Sequence, residues 1–160
     1  MRRVSLLAAV LALALMGSAC GSDAGASAAP EINFGRDICI ECGMIIDDPR
    51  FAASYRLDDG TEKLFDDLGG LILQGRDSGE LESAEVWVSD FEEEVFIEAD
   101  AAHFVPTTGV ASPMGHGILA FSDLDRATSF AEDLDGEVID WATVKELPET
   151  DGRIGHHHDE

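Results

Sequence analysis

The alternation of hydrophobic and polar positions in the first part of the chain predicts a hairpin followed by a helix. Residues 51–57 and 61–65 have strand-like composition, and the Asp-Asp-Gly sequence at 58–60 predicts the turn between them. Asp66 is placed to cap the helix that follows, and Gly75 lies near its predicted end. The apolar side of this helix is formed by Leu68, Leu71 and Ile72.

A similar pattern follows in the second part of the chain. Residues 84–89 and 95–97 predict two more strands, and residues 117–121 form a short apolar strand that ends before Ser122. With Ser122 as its cap, a second helix is predicted, and residues 137–144 follow as a last strand. The apolar side of the second helix is formed by Leu124, Ala127, Phe130, Ala131 and Leu134.

The two predicted strand-to-helix junctions resemble each other. Phe65-Asp66-Asp67-Leu68 and Phe121-Ser122-Asp123-Leu124 stand 56 residues apart. We therefore predict an α+β fold of two related small units, each with a β-hairpin, a helix and a strand, over residues 36–92 and 93–147. Because such junctions commonly use Asp or Ser as helix caps, the similarity is also explained without an internal repeat.

The N-terminus has the organisation of an export signal. Two arginines precede an apolar run at residues 4–16, which is too short to span a membrane. Cys20 follows small residues and resembles the lipidated cysteine of bacterial lipoproteins, although Gly17 stands where that pattern prefers Leu, so a plain signal peptide is the alternative. We expect a signal peptide over residues 1–19, a lipidated Cys20 with a flexible linker over residues 20–35, and an exported protein anchored to the bacterial cell membrane.

The charge of the chain limits the kinds of molecule that it can bind. Ten Lys and Arg residues oppose 33 Asp and Glu residues, which gives a formal net charge of −23. Because a nucleic-acid binder needs a cationic face, nucleic acid is excluded as a partner. With 45% hydrophobic residues the chain can still bury a core, and its acidity indicates a solvated surface that steers cations or a basic partner.

The C-terminal residues 148–160 are polar, and we expect them to be disordered. They include three consecutive histidines, His156, His157 and His158. The histidines are either a native metal-scavenging tail, which we prefer, or the remainder of a purification sequence. A disordered tail must become ordered to bind a metal, so its affinity is expected to lie well below that of the main site.

The chemistry of the chain is concentrated in the Cys39-x-x-Cys42 motif. Two thiols at this spacing form a disulfide, bind one metal ion or exchange thiols. Export favours oxidation, so a purely structural disulfide is one interpretation. A thioredoxin-like catalyst is disfavoured because Asp48-Pro49 interrupts any helix after the motif. A closed zinc site is disfavoured because the sequence contains no second ligand pair at zinc-binding spacing.

Soft sulfur ligands accompany these thiols. Met44 lies two residues past Cys42, and Met114 is flanked by Pro and Gly, which predict an irregular loop. His116 follows Met114 by two residues. Because thiolate and thioether ligands together select Cu(I) over harder divalent ions, these residues favour a Cu(I) site.

Together these motifs resemble one known family. The ordered set comprises Asp37-x-Cys39-x-x-Cys42-Gly43-Met44, Phe65-Asp66-Asp67, Pro113-Met114-Gly115 and Ala120-Phe121. It resembles the NosL family, the lipoprotein copper chaperones of nitrous oxide reductase, over about residues 37–144. The resemblance implies a fold of two related small α+β units, similar to part of organomercury lyase, over residues 36–147.

The resemblance also implies a ligand set. The candidate Cu(I) ligands are Cys42, Met44, Met114, Cys39 and one histidine. His116 and His103 compete for the histidine role, and we prefer His116 because it lies close to Met114 in the sequence.

The leading functional interpretation is a Cu(I) metallochaperone and not an enzyme. It would deliver copper by ligand exchange to the nitrous oxide reductase apoprotein, or to the membrane transporter that supplies it. A general envelope copper-binding or metal-resistance protein is the first alternative. A thiol-disulfide or organomercury-lyase-like enzyme is the second, and only the Cys39/Cys42 pair supports it.

Overall fold

A computed structural model of the protein describes residues 28–134, 136–150 and 153–154. The predicted signal peptide, Cys20 and the three consecutive histidines lie outside the described residues. Part of the predicted linker is described, and Ile32 within it is buried in the main core. None of the helices in the described residues is both long and apolar enough to cross a membrane.

A four-stranded antiparallel sheet forms the larger part of the fold. Its strands are β1 (Ala53–Arg56), β2 (Glu62–Phe65), β3 (Glu85–Ser89) and β4 (Phe96–Glu98), in the order β2-β1-β3-β4. β1 and β2 form the predicted hairpin. β4 was expected in the second unit, but it pairs with β3 and extends the first sheet.

Helix α1 (Leu68–Ser78) follows β2 and packs its apolar side into the main core. Its cap is Asp67 and not the predicted Asp66, because the Asp67 side chain accepts a hydrogen bond from the Gly69 N–H at 2.9 Å. The helix also runs past Gly75, its predicted end, and stops at Gly79. Gly79 adopts the left-handed conformation, with φ of 73°, that favours glycine after a helix.

The second part of the chain contains a two-stranded sheet and another helix. β5 (His103–Pro106), which was not predicted, pairs antiparallel with β6 (Ile118–Phe121). Helix α2 (Leu124–Asp133) follows β6. Its cap is Asp123 and not the predicted Ser122, because the Asp123 side chain accepts from the Arg126 N–H at 2.9 Å.

The prediction of a last strand over residues 137–144 is wrong for most of its length. Trp141–Val144 form a short helix, α3, because the Asp140 side chain caps it and Trp141 and Val144 are buried in the core. Only Ile139 pairs as expected of a strand, in an isolated antiparallel bridge with Phe104 of β5. Within the tail expected to be disordered, β7 (Glu149–Thr150) pairs with β8 (Arg153–Ile154).

The two units share one topology. In the first, β1 lies between β2 and β3 and is antiparallel to both, and α1 connects β2 towards β3. In the second, β5 lies between β6 and Ile139 in the same way, and α2 follows β6. The predicted α+β fold is confirmed, with the third strand of the second unit reduced to a single bridge.

Candidate metal centre

The C-x-x-C motif forms a tight loop ahead of β1. The Cys39 N–H donates to the Met44 carbonyl at 2.8 Å, and the Gly43 N–H donates to the Cys39 carbonyl at 3.0 Å. Gly43 has φ of 74°, a conformation that favours glycine and turns the loop back on itself. The Ile40 N–H donates to the Leu64 carbonyl at 3.0 Å, which fixes the loop against the outer strand β2.

This loop brings both thiols against Asp66. Cys39 Sγ, Cys42 Sγ and one Asp66 carboxylate oxygen all lie within 4.8 Å of one another. The Cys42 thiol donates to that carboxylate, with Sγ–O distances of 3.5 and 3.6 Å. Both cysteines are free thiols. No other group of three or more His, Cys, Asp and Glu side chains in the described residues has its ligand atoms this close together.

The two thiols differ in burial. Cys39 is buried, whereas Cys42 is half-buried. Burial raises the pKa of the Cys39 thiol to about 12, although hydrogen bonds from the backbone of Cys42 and Asp66 partly lower it. The Cys39 thiol of the metal-free protein is therefore protonated at neutral pH, and a metal that bound its thiolate would displace this proton.

Two adjacent carboxylates have separate roles. Asp66 faces the thiols, whereas Asp67 caps α1 and also binds the loop that carries Met114. One Asp67 carboxylate oxygen accepts from the Ser112 hydroxyl and from the Met114 N–H, the latter at 3.0 Å. Both aspartates are buried. Asp67 therefore connects the start of α1 to a loop that is 45 or more residues away in the sequence.

Two glycines at the start of α1 make room for this loop. A Cβ atom at Gly70 would lie 2.8 Å from Met114 Sδ and 3.7 Å from Glu41 Cγ. A Cβ atom at Gly69 would lie 2.1 Å from Cγ of the buried His116. A residue larger than glycine does not fit at either position without displacing the loop. The Met114 sulfur therefore lies beside the C-x-x-C loop, to which Glu41 belongs.

The loop itself is held in an irregular shape, as its sequence predicts. The Gly117 N–H donates to the Ser112 hydroxyl oxygen at 2.9 Å. Gly117 has φ of 63°, and a Cβ atom there would lie 2.0 Å from the Thr107 carbonyl oxygen. These contacts fix the backbone on both sides of Met114 and His116.

The remaining candidates are placed differently. Met44 lies on the C-x-x-C loop, but this residue is 47% exposed. His103 begins β5 opposite Phe121, whereas His116 precedes β6 at the other end of that ladder, roughly 10 Å away along the strands. The predicted ligands that the structure gathers around the start of α1 are Cys39, Cys42, Met114 and His116.

Sequence reasoning did not identify what the two aspartates and the two glycines do. It assigned Asp66 to the helix cap and gave Gly69 and Gly70 no role. A signal was nevertheless present, because two glycines in the first turn of a helix lower its intrinsic stability and therefore call for another explanation. That explanation is the close approach of the Met114 loop.

A comparison with protein families decides the family. The family model described as NosL matches residues 33–147. The chain belongs to the NosL family. Its fold is similar to that in the crystal structure of the copper chaperone NosL from Shewanella denitrificans, with a TM-score of 0.66 and 23% sequence identity over 76% of this chain and 98% of that chain. A search of curated proteins gave no match. The NosL resemblance drawn from the motifs is thus confirmed.

Proposed function

We propose that this NosL-family protein is a metallochaperone that carries one Cu(I) ion at the start of α1. The observation that carries the proposal is the convergence of two thiols and one thioether on the first turn of that helix. Sulfur ligands of this kind select Cu(I) over harder ions. Copper is the cargo of such a protein, and family and fold support a carrier and not an enzyme.

The ligands divide into a fixed set and an exposed one. Cys42 and Met114 hold the ion, and either the Cys39 thiolate or the His116 imidazole completes the set. The hard carboxylate of Asp66 is a poor ligand for Cu(I), so its role is to orient the Cys42 thiol. Met44, exposed on the same loop, meets the ion as it enters or leaves. Two or three soft ligands leave a coordination position open, through which a partner's ligand enters before an old one departs.

The recipient is the nitrous oxide reductase apoprotein, or the membrane transporter that supplies its copper. The NosL motifs and the family match support this choice. The predicted export signal and Cys20 support an exported protein on the outer face of the bacterial cell membrane, with a lipid on Cys20 as its anchor. The three consecutive histidines provide a secondary, weaker metal site.

Anaerobic copper transfer tests this function. The full chain is loaded with one equivalent of Cu(I) and mixed with the purified apo-reductase, or with the purified transporter, in the presence of a Cu(I) chelator that suppresses free copper. We expect transfer faster than from the chelator alone, and none from the Cys42→Ser variant. The control is His103→Gln, which removes the candidate histidine that lies away from α1 and should transfer like the wild type. Cu(I) binding without accelerated transfer to either recipient would contradict delivery and favour a general copper-binding protein.

A further inference from the structure

Exposed apolar side chains cluster on the segment that carries the two thiols. Seven large hydrophobic residues of the described chain are exposed, and five of them lie between residues 34 and 45. We call these five the copper-loop patch: Phe34, Ile38, Ile40, Met44 and Ile45. The other two, Val95 and Leu124, lie elsewhere in the chain. Clustered exposure of this kind is typical of a surface that binds another protein.

The local backbone explains why these side chains face outward. Ile38 and Ile45 are opposite each other in an antiparallel bridge, so their side chains are neighbours on one face. Cys39 and Ile46, the next residues along the chain, are buried on the other face, as the two-residue period of extended chain requires. A Cβ atom at Gly43 would meet nothing within 4 Å, so the described chain leaves the turn after Cys42 uncovered.

We propose that the copper-loop patch is the docking surface for the protein that receives copper, and that the receiving face is apolar with a basic rim. The inference rests on the proposed function, because a ligand-exchange step requires the recipient's ligand to reach the thiols through the loop that bears the patch. Exposed Glu41 and Asp47 lie within or directly beside this segment, which also contains one exposed basic residue, Arg36. Lys or Arg side chains around the recipient's apolar face would complement them.

The charge of the chain favours a basic protein over the other surfaces that bind apolar patches. A formal net charge of −23 opposes docking on anionic lipid headgroups. It equally opposes pairing with a second copy of the same chain, which carries the same charge. A partner of opposite charge gains from both the apolar contact and the long-range attraction.

The test compares two pairs of matched substitutions in the full chain. The double variant Ile38→Gln/Ile45→Gln removes two patch residues, and Val95→Gln/Leu124→Gln removes two apolar residues of similar exposure outside the patch. Association with the purified apo-reductase and with the purified transporter is measured by calorimetry, alongside Cu(I) affinity by chelator competition. For the recipient that binds the wild type, we expect the affinity of the patch variant to fall roughly tenfold. The affinity of the control should change less than about twofold. Added salt should weaken the wild-type association.

The outcomes separate this inference from the proposed function. Unchanged association of the patch variant, or an equal loss in the control, overturns the docking surface while copper binding stands. Absence of wild-type association with both recipients overturns it too. A wild-type chain that forms a dimer, with the dimer lost in the patch variant, would show that a second copy covers the patch, which also overturns it. A wild-type chain that fails to bind Cu(I) contradicts the proposed function, and association of the metal-free chain still decides the role of the patch.

Discussion

The two units of the molecule share a topology, but their strand-to-helix junctions are built in opposite ways. In the first junction, Asp66 faces the thiols and Gly70 leaves space for the Met114 sulfur. In the second, 56 residues on, Ser122 stands in place of Asp66 and Arg126 in place of Gly70. The first junction is thereby left open to a loop from the other unit, whereas the arginine of the second junction forms an ion pair with Asp90.

The second junction contains an ion pair between Arg126 and Asp90. The Arg126 guanidinium donates to both carboxylate oxygens of Asp90, at 2.7 and 3.0 Å. Asp90 is completely buried and also accepts from the backbone N–H groups of Ser122, Glu92 and Glu93. The two junctions share a frame and differ in a few residues, so a function of the first junction would be carried by those residues. Three substitutions and one pH dependence test this difference between the junctions, in decreasing order of their effect on stability.

Asp90→Ala should have the largest effect on stability and no effect on Cu(I) affinity. It leaves the Arg126 guanidinium and three backbone N–H groups without their acceptor, so the free energy of unfolding should fall by about 3 kcal/mol. Denaturant unfolding measures the loss, and Cu(I) affinity should stay at the wild-type value. Glu92→Ala, which removes an exposed partner of the same arginine, should cost below about 1 kcal/mol. A copper-binding defect in Asp90→Ala would show that the second junction contributes to the site.

Asp67→Asn should lower both the free energy of unfolding and the affinity for Cu(I). The amide presents an N–H₂ group where the carboxylate oxygen accepts from Ser112 and Met114, and a loss of about 2 kcal/mol in unfolding free energy is expected. Cu(I) affinity should also fall, because the Met114 loop loses its attachment to α1. The matched change in the second junction, Asp123→Asn, should cost below about 0.5 kcal/mol, since Asn caps helices as well as Asp does. Equal effects of the two variants would disprove the separate role of Asp67.

Gly69→Ala tests the space that the first junction leaves open. Alanine adds helix propensity of about 1 kcal/mol, but its Cβ would lie 2.1 Å from Cγ of the buried His116. We expect the overpacking to exceed this gain and the net loss to be about 1.5 kcal/mol, with weaker Cu(I) binding as the loop shifts. Asp125→Ala, the corresponding change on the exposed side of α2, should be neutral within about 0.5 kcal/mol. Stabilisation by Gly69→Ala would mean that the loop does not need the glycine.

The smallest effect is the acid dependence of the second junction. Burial alone would raise the pKa of Asp90, but the Arg126 guanidinium and backbone N–H groups hold it well below its usual range. Because the folded-state pKa is lowered, Asp90 contributes stability above the unfolded value of about 4 and loses it as pH falls below that value. Between pH 5 and pH 3, the free energy of unfolding of the wild type should therefore fall by about 1 kcal/mol more than that of Asp90→Asn. The same pH dependence in wild type and variant would contradict this assignment.

The parts of the fold that follow from local sequence could be predicted. The β1–β2 hairpin depends on a turn of a few residues, and both helices have apolar sides that are visible in sequence. The strand β5 was not predicted because its pairing partner, β6, lies more than ten residues further along the chain. The strand predicted over 137–144 failed because the Asp140 cap and burial of Trp141 outweigh strand propensity.

The sequence could predict candidate ligands for the site, but not how the fold arranges them. The thiol spacing and the two methionines point to copper without any structure. The functions of Asp66 and Asp67 depend on a shift of one residue in where α1 begins, which composition does not determine. The fit of Gly70 against Met114 joins positions 44 residues apart, and such contacts are set by tertiary packing.

We predict that the open junction of the first unit binds Cu(I) through Cys42. Anaerobic titration of the full chain against a competing Cu(I) chelator tests it most directly, with Cys42→Ser compared with the wild type. We predict one tightly bound equivalent in the wild type, and an affinity lower by roughly 100-fold or more in Cys42→Ser. A Cys42→Ser variant that still binds one equivalent of Cu(I) with wild-type affinity would contradict the role of Cys42 as a ligand.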